Sequence, residues 1–317
     1  MKAIHIPHRS GAFELVERPV PEPASGQVLI KVEACGVCHG ENVAIHGHMP
    51  GVRYPVVPGH EVIGTITEVG AGVTGWKVGQ RVGLGWSGGG EAITGLSVDG
   101  GYAEYTTAHA SALIAIPDGI SAVEAAPLMC AGVTTFSALK SSKARMGDLV
   151  AVQGIGGLGH LAIQFAQRAG FRTVAISRGR QKEELARRLG AHAYLDGDAE
   201  DVGKALQAMG GARVILATAP SAKAISAAVG GLARDGEVVI VAGSGEKLDV
   251  TPMQLLRRNT LRGWVGDGPS DIVETVAFSL LTGVKCEVET FPLARATEAY
   301  DAMMKATVRF RAVLTMG

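Results

Sequence analysis

Leu149-Val150-Ala151-Val152-Gln153-Gly154-Ile155-Gly156-Gly157-Leu158-Gly159 reads as a strand, a glycine-rich turn and the opening of a helix. With Asp148 before them, the first five residues predict a buried strand over 148–153, and 158–169 reads as a helix. Between them stands G-x-G-x-x-G. Gly154 permits the tight turn, Gly156 lets the backbone approach a pyrophosphate, and Gly159 lets the helix pack close to the strand. Gly157 and Leu158 complete the loop. The helix N-terminus adds free N–H groups and a partial positive charge. The hexapeptide alone is weak in a chain with 44 glycines. Lying between strand and helix, it has the context that dinucleotide binding needs.

The surroundings extend this unit. Strands are predicted over 173–177, 193–196, 214–217 and 237–241, with helices over 181–189 and 222–232 among them. Such βαβαβ alternation predicts a doubly wound parallel sheet with helices on both faces. Before residue 121 the pattern differs. Strand-like runs over 28–34 and 62–69 are rich in β-branched residues and are separated by Gly and Pro, as in a small barrel or sandwich. A last apolar strand is predicted over 312–315.

Length and composition bound the rest. A chain of 317 residues suggests roughly two domains. Lys+Arg and Asp+Glu are both 30, so no basic excess awaits a nucleic-acid backbone. Four cysteines form no disulfide framework and fit a reducing compartment. The first residues lack the apolar core of a signal peptide, and no apolar run is long enough to span a membrane. A soluble cytoplasmic protein with no nucleic-acid or membrane partner is expected.

The end of the second strand of the alternating unit speaks to the cofactor. An acidic residue there binds ribose hydroxyls and repels a 2′-phosphate. This chain has Ser177-Arg178-Gly179-Arg180. A hydroxyl and a guanidinium suit the phosphate, so NADP(H) is expected over NAD(H). The adjoining Lys182 is grouped with Ser177 and Arg178.

Separate short motifs carry metal-binding residue types: Cys35-Gly36-Val37-Cys38-His39-Gly40-Glu41, Pro58-Gly59-His60-Glu61-Val62-Ile63-Gly64 and Pro127-Leu128-Met129-Cys130. Alone, Cys35-x-x-Cys38 reads as a redox pair or half a zinc knuckle, and Cys130 as a core residue. Together, and with Gly79-Gln80-Arg81-Val82-Gly83 and Asp99-Gly100-Gly101-Tyr102-Ala103-Glu104-Tyr105, they resemble the zinc-dependent medium-chain alcohol dehydrogenase family nearly end to end.

The resemblance implies an α/β two-domain chain. A GroES-like β-barrel catalytic domain would span 1–131 with 266–317, and a Rossmann domain 132–265. It implies catalytic zinc ligands at Cys38, His60 and Cys130, with Glu61 as a carboxylate that can reach the metal. Glu41 stands where an acid orients the histidine ligand. Thr134 would lie at the nicotinamide, His39 and Arg311 near the cofactor diphosphate, and Trp86 in the substrate pocket. The implied reaction is hydride transfer between a primary or aromatic alcohol, or its aldehyde, and the cofactor, in a homodimer or homotetramer. The strand near 238–242 and the segment 261–265 are candidate assembly edges.

Two departures accompany the resemblance. Gly40 replaces the Ser or Thr that relays the alcohol proton, and Val43 stands where some members carry a relay histidine. No cysteine lies between Trp86 and Asp99, where the family's structural-zinc lobe belongs, so one zinc per chain is expected. Cys35 is read as a buried thiol, and Cys286 has no matching role. The competing readings are a zinc-free NADPH quinone or enone reductase of the same superfamily and a non-catalytic cofactor-binding relative.

Overall fold

The structure is a computed structural model describing residues 1–266 and 268–317. The chain forms two compact units. One holds Met1–Val133 and the C-terminal segment, and the other holds Thr134–Gly266.

The first unit opens with β1 (Lys2–His5), β2 (Glu14–Glu17), β3 (Gln27–Val37), α1 (Glu41–His46), β4 (Val62–Val69), β5 (Arg81–Leu84), β6 (Tyr105–His109), β7 (Leu113–Ala115) and α2 (Ala122–Ala125). Helix α3 (Ala131–Lys140) leads into the second unit. There follow β8 (Leu149–Gln153), α4 (Gly159–Arg168), β9 (Arg172–Ser177), α5 (Glu183–Arg188), β10 (Ala193–Asp196), α6 (Val202–Ala208), β11 (Ala212–Ala217), α7 (Ala222–Val229), β12 (Leu232–Ile240), α8 (Pro252–Leu255) and β13 (Thr260–Gly263). The chain then returns with α9 (Pro269–Thr282), β14 (Val288–Pro292), α10 (Ala296–Met304) and β15 (Arg311–Thr315).

The second unit is a parallel sheet in the order β10-β9-β8-β11-β12-β13. All five residues of β8 are buried, as a strand covered on both faces requires. From β8 the chain winds outward through β9 and β10, then crosses back to β11 and winds the other way. The order reverses between β8 and β11, and ligands of such sheets bind at the carboxyl ends of the strands beside that reversal. The turn 154–158 leaves β8 at this place. The core beneath it joins Ala151, Ile215, Val238, Leu206 and Ile225.

Two expectations need correction. The helix predicted over 222–232 stops at Val229, because Gly230-Gly231 interrupts it. The strand predicted from 237 begins at Leu232 and passes through Asp235, held at φ 60° beside Gly236. A glycine next to a left-handed residue hides such a strand from a periodicity test.

In the first unit the order is β14-β15-β3-β4-β5-β7, with β6 also on β3, and every pairing but β14–β15 is antiparallel. β3 is its spine. Cys35 pairs with Val62 at the start of β4, and Val37 pairs with Ala312 at the start of β15. One end of the sheet therefore gathers the end of β3 and the beginnings of β4 and β15. Among the described residues no single helix is long and apolar enough to cross a membrane.

Candidate metal centre and active site

That gathered end is where the motif residues sit. Cys38 follows β3, His60 and Glu61 precede β4, and Arg311 opens β15. Cys130 follows the short 3₁₀ turn Ala126–Met129 and immediately precedes α3. One ligand atom each from Cys38, His60, Glu61 and Cys130 lies within 4.8 Å of every other. The two sulfurs are 3.8 Å apart. Two thiolates about 2.3 Å from a tetrahedral zinc ion stand about 3.8 Å apart. His60 Nδ1 lies 3.1 Å from Glu41 Oε1, while Nε2 is buried with no hydrogen-bond partner. A buried imidazole nitrogen without a partner needs an explanation, and a metal ion beside two thiols supplies one. The donor set fits zinc.

Burial and the neighbouring charges set the protonation of these groups, and the Cys130 thiol is pushed well up by its hydrogen bond to Cys38 and by burial. Cys38 is held well below the ordinary thiol range by the Cys130 S–H and the His60 charge, and its backbone N–H donates to Glu41 Oε2 at 3.1 Å. Burial works against a charged His60, yet Glu41 and the Cys38 thiolate hold its pKa well up. Burial raises Glu61 to about 7, partly offset by Arg311. Arg311 Nη2 donates to Glu61 Oε1, and both side chains are buried. The Glu61 carboxylate enters beside β3 only because residue 36 is glycine: a Cβ there would lie 1.8 Å from Glu61 Oε2.

Trp86 packs edge-on against His60, with ring centroids 4.8 Å apart and planes at 85°. Gly40 lies beside both rings. A Cβ at residue 40 would stand 2.9 Å from His60 Cε1 and 3.4 Å from Trp86 Cζ3. His39 is exposed, in the turn between Cys38 and α1. Cys35 is buried, and burial pushes its thiol up. Cys286 is buried too, with its thiol likewise raised. The Glu61–Arg311 pair was not read from the sequence; 250 positions separate the partners and no local signal links them.

In the second unit Gly154 has φ +96° and its N–H donates to Ile176 O at 2.8 Å. A Cβ at Gly159 would lie 1.9 Å from Gly154 O, so the helix needs glycine there. Gly156 differs. A Cβ there would meet nothing within 4 Å, so the fold leaves that face of the turn open. Thr134 is buried near the start of this unit.

Ser177 ends β9 opposite Asp196 of β10. The Asp196 carboxylate is occupied by the N–H groups of Gly179 and Asp198, at 2.8 and 3.0 Å. Arg180 is drawn to Glu183 at 2.7 Å. Arg178 is exposed and makes no ion pair among the described residues. Lys182 Nζ donates to Ile155 O of the glycine turn at 2.7 Å, and burial followed by the Arg178 charge lowers its pKa. Arg178 and Lys182 thus bring positive charge beside the turn.

Residues 24–118 match the alcohol dehydrogenase GroES-like domain, and residues 157–280 match the zinc-binding dehydrogenase domain. A Penicillium expansum protein named alcohol dehydrogenase patD is 42% identical over 325 residues, covering 97% of this chain and 95% of its own. An alcohol dehydrogenase of Geobacillus stearothermophilus is 37% identical over 334 residues, covering 99% of both. Among solved structures, the alcohol dehydrogenase of the archaeon Aeropyrum pernix superposes with a TM-score of 0.90 at 26% identity, covering 99% of this chain and 100% of that one.

Proposed function

Because the chain belongs to the zinc-type medium-chain alcohol dehydrogenase family, an NAD(P)-dependent oxidoreductase family with a GroES-like and a Rossmann domain, we propose that it interconverts a primary or aromatic alcohol and its aldehyde. One zinc ion per chain would be held by Cys38, His60 and Cys130, and NADP(H) would be the preferred hydride carrier. The observation that carries the reading is the 3.8 Å pair of sulfurs beside a buried, unpartnered imidazole nitrogen.

When bound, zinc supplies a Lewis acid that lowers the pKa of a coordinated alcohol or polarises a carbonyl. Glu41 fixes the His60 tautomer, keeping Nδ1 protonated so that Nε2 offers its lone pair. Arg311 holds the Glu61 carboxylate close to the ligand set. Trp86 walls the substrate side. Gly40 offers no hydroxyl, so the alcohol proton would leave through ordered water, or turnover would favour the aldehyde-reducing direction. Gly154, Gly156, Gly157, Leu158 and Gly159 would cradle the pyrophosphate, and the open face at Gly156 supports this. Ser177, Arg178 and Lys182 would bind a 2′-phosphate; Thr134, His39 and Arg311 complete the proposed cofactor contacts.

Assembly into a homodimer or homotetramer is part of the same reading. Of the two candidate edges, β12 lies inside the sheet between β11 and β13, which leaves β13 as the free edge.

The test is turnover over an alcohol and aldehyde panel with NADPH and NADH, before and after chelation and with zinc restored. Loss on chelation, recovery with zinc and a higher kcat/KM with NADPH are expected. Undiminished enone reduction after chelation would favour the zinc-free reductase reading instead.

A further inference from the structure

Pro58-Gly59-His60 carries a proposed metal ligand, and its backbone course fixes where the His60 ring stands. Gly59 is left-handed, with φ +102°, and is hemmed in. A Cβ on it would lie 2.4 Å from Tyr102 Cδ1 and 2.9 Å from Cys35 Sγ. The Gly101 and Tyr102 N–H groups donate to the Gly59 and Pro58 carbonyls at 2.9 and 3.0 Å. Two further walls are Gly100, where a Cβ would lie 2.1 Å from Gly59 O, and Gly95. A Cβ on Gly95 would lie 2.9 Å from Gly59 N and 3.2 Å from Pro58 C, and backbone atoms cannot step aside as a side-chain tip can.

Gly95 belongs to the short loop after Trp86 that lacks the family's structural-zinc cysteines. The loop is firmly seated. Ser87 bridges to Ile93, Thr94 N–H donates to Trp86 O at 3.0 Å, and Gly95 N–H donates to Val98 O at 2.9 Å. Leu96 is buried with Ile6, Ala44 and Val56, and Ile93 packs against them. The loop thus meets the histidine segment twice, through Gly95 at the Gly59 backbone and through Trp86 at the His60 ring.

We propose that this loop braces the His60 ligand, with Gly95 as a positioning residue. Its missing Cβ lets the loop backbone lie against Pro58-Gly59 and hold His60 where Cys38 and Cys130 can share a metal ion with it. This rests on the zinc reading above.

The test compares zinc dissociation constants, from competition with a chromophoric chelator, for the unmodified chain, Gly95→Ala, Gly95→Asn and Gly90→Ala. Gly95 is left-handed at φ +78°; Gly90, in the same loop, is left-handed too at φ +57° but has nothing within 4 Å of its Cβ, so its variant carries strain without contact. Asparagine tolerates left-handed backbone, so Gly95→Asn carries the contact with little strain. Both Gly95 variants are expected to bind zinc at least tenfold more weakly, and Gly90→Ala within twofold of the unmodified chain. The thermal midpoint of each zinc-free chain is read alongside, and Gly95→Asn is expected to lose affinity beyond what that midpoint loses relative to Gly90→Ala. Unchanged zinc affinity in Gly95→Asn, or an equal loss in Gly90→Ala, would overturn the brace. If neither Gly95 variant folds, Ile93→Ala, which loosens the loop without adding a contact, should weaken zinc at least threefold, and no change there overturns it equally. An unmodified chain that binds no zinc would instead defeat the zinc reading itself.

Discussion

Gly40 shows how a single missing side chain constrains the chemistry. A hydroxyl at this position looks easy to restore from sequence, because a serine there would complete a proton relay. The structure argues otherwise, since the Cβ alone would press on His60 Cε1. Gly40→Ser is therefore expected to lower zinc content and kcat/KM together; full zinc content with faster alcohol oxidation would contradict this. Glu61 and Arg311 make a second case. Removing one partner of a buried pair costs about 3–5 kcal/mol, because the other charge stays buried alone. Glu61→Gln should lower the thermal midpoint by several degrees, and Arg311→Met added to it should recover part of the loss. Strictly additive losses would mean that the pair is not coupled. At the cofactor, a charge-assisted hydrogen bond is worth about 1.5–3 kcal/mol. Arg178→Ala and Lys182→Ala should each cut the NADPH to NADH ratio of kcat/KM by roughly tenfold or more, while an unchanged ratio would remove the 2′-phosphate contact. The residue types of the metal site were legible in short motifs. The ion pair and the steric limits at Gly36 and Gly40 were not, because they arise only when distant segments meet.

Among the elements, the interior strands were the readable ones. β8, β9 and β11 each carry an apolar run, 149–152, 174–176 and 214–217, because helices cover both faces of their sheet. β13 escaped prediction as a strand for the opposite reason. It is short and at an edge, with both end residues exposed and the middle two half-buried, so its sequence carries no burial pattern. Helix α9 has Pro269 at its first turn and Gly283 left-handed at its end, both ordinary boundary signals, yet it shows no strong apolar stripe. The unpaired side of β13 gives the element-scale expectation. Exposed Val265 lies two residues beyond it. Val265→Lys should shift the chain toward monomer in sedimentation or size-exclusion measurements. An unaltered oligomer would place the contact elsewhere.

On the scale of the whole molecule, the chemistry divides between the units. The proposed metal ligands all lie in the unit holding Met1–Val133, and the glycine turn lies in the unit holding Thr134–Gly266. Chelation should therefore abolish turnover while leaving NADPH binding, followed by fluorescence titration, nearly unchanged. The most direct check is zinc content by elemental analysis, paired with turnover, for the unmodified chain and Cys130→Ser. One zinc per chain is expected, with both metal and activity lost in the variant. Two zinc ions per chain, or full activity in a zinc-free chain, would contradict it.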